Sequence, residues 1–245
     1  MVERLIAAGL DSIPGGGAEI LVDWVREELN CYTKASSNEW LDVMRHAHKA
    51  GLRTTATMMY GTVEGLEERI DHMIRLRELQ DETGGFTAFI TWSYQSANTE
   101  LGGVEATGVD YLRTLAVSRL VLDNFDNLQS SWVTQGGMVG QLSLAYGAND
   151  MGSVMIEENV VRAAGAAYCM DELEIVRNIE GAGFCPKRRN MHYELLGDPI
   201  ARARHGFLIS RPGYTILYNF SPRFCSKLAQ ISLKFPQKRT ETSVI

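Results

Sequence analysis

Two rhythms alternate along the chain: short apolar runs, and longer stretches in which apolar residues recur every three or four positions. Residues 2–8 read as the last turns of a helix closed by Gly9, and 10–13 as a short strand. The loop Pro14-Gly15-Gly16-Gly17 follows, and Ile20, Leu21, Trp24, Val25 and Leu29 give 18–29 a helical spacing. Ser37 or Asn38 is placed to cap a helix over 39–50 that stops at Gly51. A strand is predicted over 53–59. A long helix is predicted over 64–82, with Leu66, Ile70, Met73, Ile74 and Leu76 on one side. The glycine pair Gly84-Gly85 then breaks into the apolar run 86–90.

The same alternation continues. Thr107 starts a helix that runs to about 122, 127–133 reads as a strand, and 138–146 as a short helix. A strand over 151–155 is followed by helical stretches at 156–164 and 172–182, and 184–188 is a candidate last strand. Strands separated by helices in this way build a parallel sheet, open or curled into a barrel. A parallel sheet offers ligands the carboxyl ends of its strands. The stretch 80–99 shows this pattern most clearly: its buried strand gives way to Trp92, Tyr94, Gln95, Asn98 and Thr99. The corresponding polar residues elsewhere place Glu19, Thr57, Glu64, Gln135, Asn149 and Asp150 near the same rim. The alternative for each polar group is a purely structural one, capping a helix or tying a loop.

Composition narrows the picture. With 245 residues, 45% of them hydrophobic, the chain is long enough for one large core. The net charge of −6 argues against nucleic acid or an anionic membrane as partner. No apolar run approaches the ~18 residues of a spanning helix, and the amino terminus has no signal-peptide pattern, so a cytoplasmic location is expected. Cys31, Cys169, Cys185 and Cys225 are widely spaced and form no CxxC or CxxxCxxC motif, so no metal site is assigned. His46, His48 and His72 stand among charged residues and are read as solvated. There is no Gly-x-Gly-x-x-Gly fingerprint, Walker loop or Gly-x-Ser-x-Gly elbow, which disfavours those nucleotide and hydrolase classes. From about 201 the chain becomes basic and Ser/Pro-interrupted, with Glu241 its only acid. The expected organisation is a partial barrel over 1–200 with an appended tail over 201–245.

Six blocks together resemble one family: AGLDSIPGGGAEIL (8–21), RTTATMMYGTVE (53–64), LQDETGGFTAFITWSYQSANTEL (79–101), YLRTLAVSRLVLDN (111–124), SWVTQGGMVGQ (131–141) and GANDMGSVMIEENVVRAAG (147–165). They are similar to the dehypoxanthinyl futalosine cyclases of the futalosine route to menaquinone, over about residues 1–198. The resemblance implies an α/β fold, a partial parallel (β/α) TIM-type barrel of the radical SAM kind that lacks the first strands. It implies S-adenosylmethionine and a 4Fe–4S cluster as the family's cofactors, and a small nucleoside-derived substrate. The family's SAM-contacting pattern Gly-x-Ile-x-Gly-x-x-Glu falls on Thr57, Met59, Gly61 and Glu64. Glu19, Asn149, Asp150 and Glu157 stand in well-matched blocks as polar contacts to ribose or substrate. Trp92, Gln95, Asn98 and Gln135 complete the implied substrate rim.

The family's CxxxCxxC cluster loop does not occur in this sequence. The expectation is therefore that the chain alone is inactive. Three readings stand side by side. One is a portion of an active cyclase. Another is a non-catalytic half-barrel that binds a nucleoside-like ligand or a partner subunit. The third is a sibling aminofutalosine synthase. An open barrel exposes strand edges, so self-association is also expected.

Overall fold

The computed structural model describes residues 1–29, 31, 33–154, 159–165 and 168–197, together with the backbone of 215–219. Five parallel strands, β1 (Ser12–Ile13), β2 (Arg53–Tyr60), β3 (Phe86–Ser93), β4 (Asn127–Gln129) and β5 (Asp150–Ser153), lie side by side in chain order and form a curled half-barrel. The helices are α1 (Val2–Ala7), α2 (Asp23–Glu28), α3 (Ser37–Lys49), α4 (Leu66–Thr83), α5 (Gly108–Val121), α6 (Trp132–Ser143), α7 (Asn159–Ala163) and α8 (Glu172–Gly181). Two further strands, β6 (Cys185–Arg189) and β7 (Thr215–Asn219), extend the sheet beyond β5, with β7 in between.

Alternation along the strands sorts the two faces. Ala56, Met58 and Tyr60 of β2, Phe89 of β3, Leu128 of β4 and Met151 of β5 pack in one core with Trp40, Met44, Met73, Leu76, Tyr111, Trp132 and Ile175 of the helices. The opposite face is concave and much more polar. The register carries one row straight across it, Thr57 beside Ile90, Ile90 beside Gln129 and Gln129 beside Asp150. One step toward the carboxyl ends, Met59 lies beside Trp92.

Local chemistry explains several helix boundaries. A reciprocal capping box starts α3: the Glu39 amide donates to Ser36 Oγ (3.3 Å) and the Ser36 amide to Glu39 Oε2 (2.8 Å). The cap is thus Ser36, just before the expected Ser37 or Asn38. Asp171 and Glu174 form the same device on α8, and Thr107 caps α5 as expected. Gly84 closes α4 in the left-handed region, φ 59°. The Gln80 side chain then holds the start of β3, accepting from the Phe86 amide (2.8 Å) and donating to its carbonyl (3.0 Å).

Several expectations are corrected. The helical spacing over 18–29 produces a helix only at Asp23–Glu28. Ile20 and Leu21 are fully buried, but in a bent, non-helical stretch beside β2, where the Met59 amide donates to the Glu19 carbonyl (3.0 Å). The predicted strand over 127–133 ends at Gln129, and Trp132 already opens α6. The apolar side expected of α4 is only partly buried: Leu66 and Ile74 are exposed, and the packed face is Arg69, His72, Met73, Leu76, Leu79 and Gln80. The last strand forms, but it runs antiparallel to β7. Within the stretch expected as an appended tail, 215–219 pairs with β5 and β6. The remainder of 201–245 lies outside the described residues.

Candidate functional site

At the carboxyl ends of β2 and β3 a cavity of about 360 Å³ opens between the sheet and α7. Met59 and Trp92 form its apolar floor; Tyr94, Gln95, Asn98 and Thr134 supply the polar wall. Its composition, aromatic and thioether surface with a few convergent amides and hydroxyls, suits a flat heteroaromatic ring carrying a polar substituent.

The wall is held by a hydrogen-bonded hub at the end of β3. Gln135 on α6 donates to Ser93 Oγ (2.6 Å), and Gln95 Nε2 lies 3.2 Å from both Ser93 Oγ and the Ser93 carbonyl. Asn98 sits in the left-handed region (φ 58°), which asparagine tolerates, and donates to the Ala163 carbonyl of α7 (3.2 Å). Gly136 (φ 80°, ψ 164°) interrupts α6 immediately after Gln135, so the first turn of that helix is set apart from the rest.

Of the four residues matched to the SAM pattern, Met59 alone lines this cavity. The Thr57 hydroxyl donates to the Gly15 carbonyl, and Gly15 in turn donates to Thr55 Oγ1 (2.9 Å). A Cβ on Gly15 would stand 2.7 Å from the Thr57 amide nitrogen, so this first glycine of the loop serves close backbone packing against β2. Gly61 (φ 88°) donates to Glu64 Oε1 (2.6 Å). The Glu64 side chain is fully buried and also accepts from Thr62 and from Arg69 Nε (2.9 Å). Glu64 thus ties the turn after β2 to α4, and Arg69 continues the tie to Asp110 (3.0 Å) while lying over the Tyr60 ring.

The other candidates separate. Glu19 adopts φ 42°; its Oε1 meets Lys34 Nζ, and its Oε2 is buried with no partner among the described residues. Asn149 precedes β5 and serves the backbone there. Its Oδ1 accepts from the Leu128 amide (2.8 Å) and Arg119 (3.1 Å), and its Nδ2 donates to the Asp126 carbonyl (2.9 Å). The structure does not place it with Trp92 and Gln95. Asp150 faces the concave side but is fully buried beneath Arg189, which pairs with it at 2.5 Å and is covered in turn by the Tyr193 ring at 3.5 Å. Burial pushes the Asp150 carboxyl up, against the opposing pull of Arg189. Glu157 lies outside the described residues.

His72, expected to be solvated, is completely buried on α4 and accepts from the Leu21 amide at Nδ1 (2.9 Å). Burial lowers its pKa to about 3. His48 bridges Thr83 (2.7 Å) and Thr54 (2.8 Å); burial, aided by the charge of Arg53, lowers its pKa to about 4. Both are neutral structural histidines. His46 is exposed, as expected.

Among the described residues there is no group of three or more His, Cys, Asp or Glu side chains arranged to hold a metal ion. Cys31, Cys169 and Cys185 are free, and Cys225 lies outside the described residues. These residues do not fit a 4Fe–4S cluster. No described helix is long and apolar enough to cross a membrane.

Comparison with known proteins supplies the relationship. Residues 83–201 match the family model of the CofH/MqnC C-terminal region. The chain is 47% identical over 196 residues to cyclic dehypoxanthine futalosine synthase of Streptomyces coelicolor, covering 80% of this chain and 49% of the relative. It is 44% identical over 200 residues to aminodeoxyfutalosine synthase of Thermus thermophilus, covering 79% of this chain and 54% of that one. A 5-amino-6-(D-ribitylamino)uracil–L-tyrosine 4-hydroxyphenyl transferase of Methanosarcina acetivorans is 45% identical over 204 residues, 78% of this chain and 54% of the relative. The chain spans about half the length of the curated relatives it matches.

Proposed function

We propose that this chain, whose residues 83–201 are a CofH/MqnC C-terminal region, carries the substrate-holding half of a radical SAM cyclase of the futalosine pathway of menaquinone biosynthesis. The reaction is conversion of dehypoxanthine futalosine to its cyclic form, in the cytoplasm, without nucleic acid or membrane as partner. The observation that carries this reading is the gathering of Met59, Trp92, Gln95, Asn98 and Thr134 around one cavity at the carboxyl ends of β2 and β3.

In the family, S-adenosylmethionine and a 4Fe–4S cluster supply a 5′-deoxyadenosyl radical. The described residues provide no ligand set for that cluster, and no step is assigned to it. What they provide is positioning. Trp92 and Met59 offer stacking surface to an aromatic ring, and Gln95 and Asn98 offer amide groups to its sugar. Gln135 and Ser93 keep that wall in place. Met59 is the residue proposed to meet adenine, while Thr57, Gly61 and Glu64 fix the β2 end from beneath. Glu19 is proposed to shape the site from behind the β2 end, and Asn149 and Asp150, at the amino end of β5, to hold the sheet that carries it. The open β1 edge is the surface proposed for pairing with another half-barrel or a second copy of the chain.

The missing ligand set favours one second reading, a non-catalytic half-barrel that binds a nucleoside-like ligand. Anaerobic incubation with dehypoxanthine futalosine, S-adenosylmethionine, reductant and the separately produced amino-terminal half of the Streptomyces relative separates the two. Cyclic product by mass spectrometry supports the cyclase. No product, with the full-length relative active in parallel, supports the binding module, and aminofutalosine formed from that enzyme's own substrates would assign the sibling synthase. Reconstituted alone, the chain is expected to bind little iron and form no 5′-deoxyadenosine.

A further inference from the structure

A second cavity on the concave face, about 390 Å³, lies away from the rim and runs from the amino ends of β1, β2 and β3 across to Gln129 and Ser153. Its volume falls in the range that holds small ligands. Its polar groups are neutral or cationic. Ser12 and Ser153 contribute hydroxyls, Gln129 an amide, Tyr193 a phenol, and Arg53 and His192 a cationic and a protonatable group. No acidic side chain lines it among the described residues, although the chain as a whole carries a net charge of −6.

Arg189, also in the wall, is matched by Asp150. Arg53 is not matched: no hydrogen bond or ion pair joins its guanidinium to another described residue, and its positive charge is felt at His48. The wall is also built. Gln129 lies over Gly152, where a Cβ would come within 2.9 Å of its amide nitrogen. Tyr193 is held at φ 65° with its ring on Arg189. An uncompensated guanidinium lining one cavity with hydroxyl and amide groups is the arrangement that recognises an oxyanion attached to a polyol.

We propose that this cavity is a second binding site, for a small sugar-like anion, with Arg53 holding the anionic group and Gln129, Ser12 and Ser153 meeting the hydroxyls. It is separate from the cavity of Met59 and Trp92, and the proposal stands whether or not the chain takes part in a cyclase.

Calorimetric titration of the full chain with ribose 5-phosphate, gluconate and neutral ribose tests it. The expected result is one-to-one binding of at least one of the two anions and none of ribose; the tighter anion identifies the group as phosphate or carboxylate. Arg53→Gln should weaken that binding by about tenfold or more, and Gln129→Leu by several-fold. Arg113→Gln, an exposed change on α5, should leave it unchanged. Circular dichroism identical to wild type shows that each variant is folded, and Gln129→Leu keeps the test alive if Arg53→Gln is not. Failure of both anions to bind, equal binding of ribose, or equal effects of Arg53→Gln and Arg113→Gln would overturn the proposal.

Discussion

The side-chain amide of Gln135 donates to the Ser93 hydroxyl at 2.6 Å, joining the first turn of α6 to the last residue of β3. Gln95 reaches the same hydroxyl at 3.2 Å. One small hydroxyl thus fixes two amides, one on α6 and one just past β3, and the cavity wall depends on it. Replacing Gln135 by leucine removes one arm while roughly keeping the volume. A stability loss of about 1 kcal/mol is expected in urea unfolding. Affinity for dehypoxanthine futalosine should fall several-fold more than stability alone explains, and an unchanged affinity would separate the hub from the site.

Gly15 gives a sharper test of the scaffold. Its Cβ position lies 2.7–2.8 Å from backbone atoms of Ala56 and Thr57, which have no room to withdraw. Gly15→Ala should cost about 1–3 kcal/mol through forced backbone displacement. Gly16→Ala meets nothing within 4 Å and should cost much less. Comparing urea midpoints of the two variants checks this; equal midpoints would mean that the loop does not pack on β2.

Acid sensitivity follows from two histidines, His72 fully buried and His48 partly so. Their folded pKa values, about 3 for His72 and about 4 for His48, lie below the ordinary value of 6.5. Unfolding therefore takes up protons as pH falls below about 6.5, and their contribution to stability is lost from there downward. It is fully present above 6.5. Each histidine contributes a slope of up to about 1.4 kcal/mol per pH unit between the unfolded and folded values. Urea unfolding at pH 7.0, 6.0 and 5.0 should show this decline, and His72→Asn should flatten it. A wild-type stability independent of pH over that interval would contradict the assignment.

The sequence conveys the strand–helix alternation because the apolar periods are clear and the terminators, Gly9, Gly51 and Gly84, are local. It conveys the gathering of Trp92, Gln95 and Asn98 around one cavity for the same reason: polar residues immediately follow a long buried strand. Asn149 and Asp150 follow no strand. They stand at the amino end of β5, and a polar pair between two elements does not reveal which end of the sheet it serves. His72 was illegible because its neighbours on α4 are charged; the buried face of that helix is itself partly polar, with Arg69 and Gln80 paired inside. The strand pattern runs past the end of β4 because Ser131, Trp132 and Val133 fit a strand locally, whereas Trp132 is buried as the first residue of α6. The Arg189–Asp150 pair joins positions 39 apart in sequence and carries no local signal.

The central claim is that Met59 and Trp92 floor a nucleoside-holding cavity at the carboxyl ends of β2 and β3. Calorimetric titration of the full chain with dehypoxanthine futalosine, wild type against Trp92→Ala, tests it directly. The account predicts one-to-one binding that weakens by about tenfold or more on loss of the ring, with far-ultraviolet circular dichroism unchanged. Absence of binding to the folded wild-type chain, or equal affinity in Trp92→Ala, would contradict it.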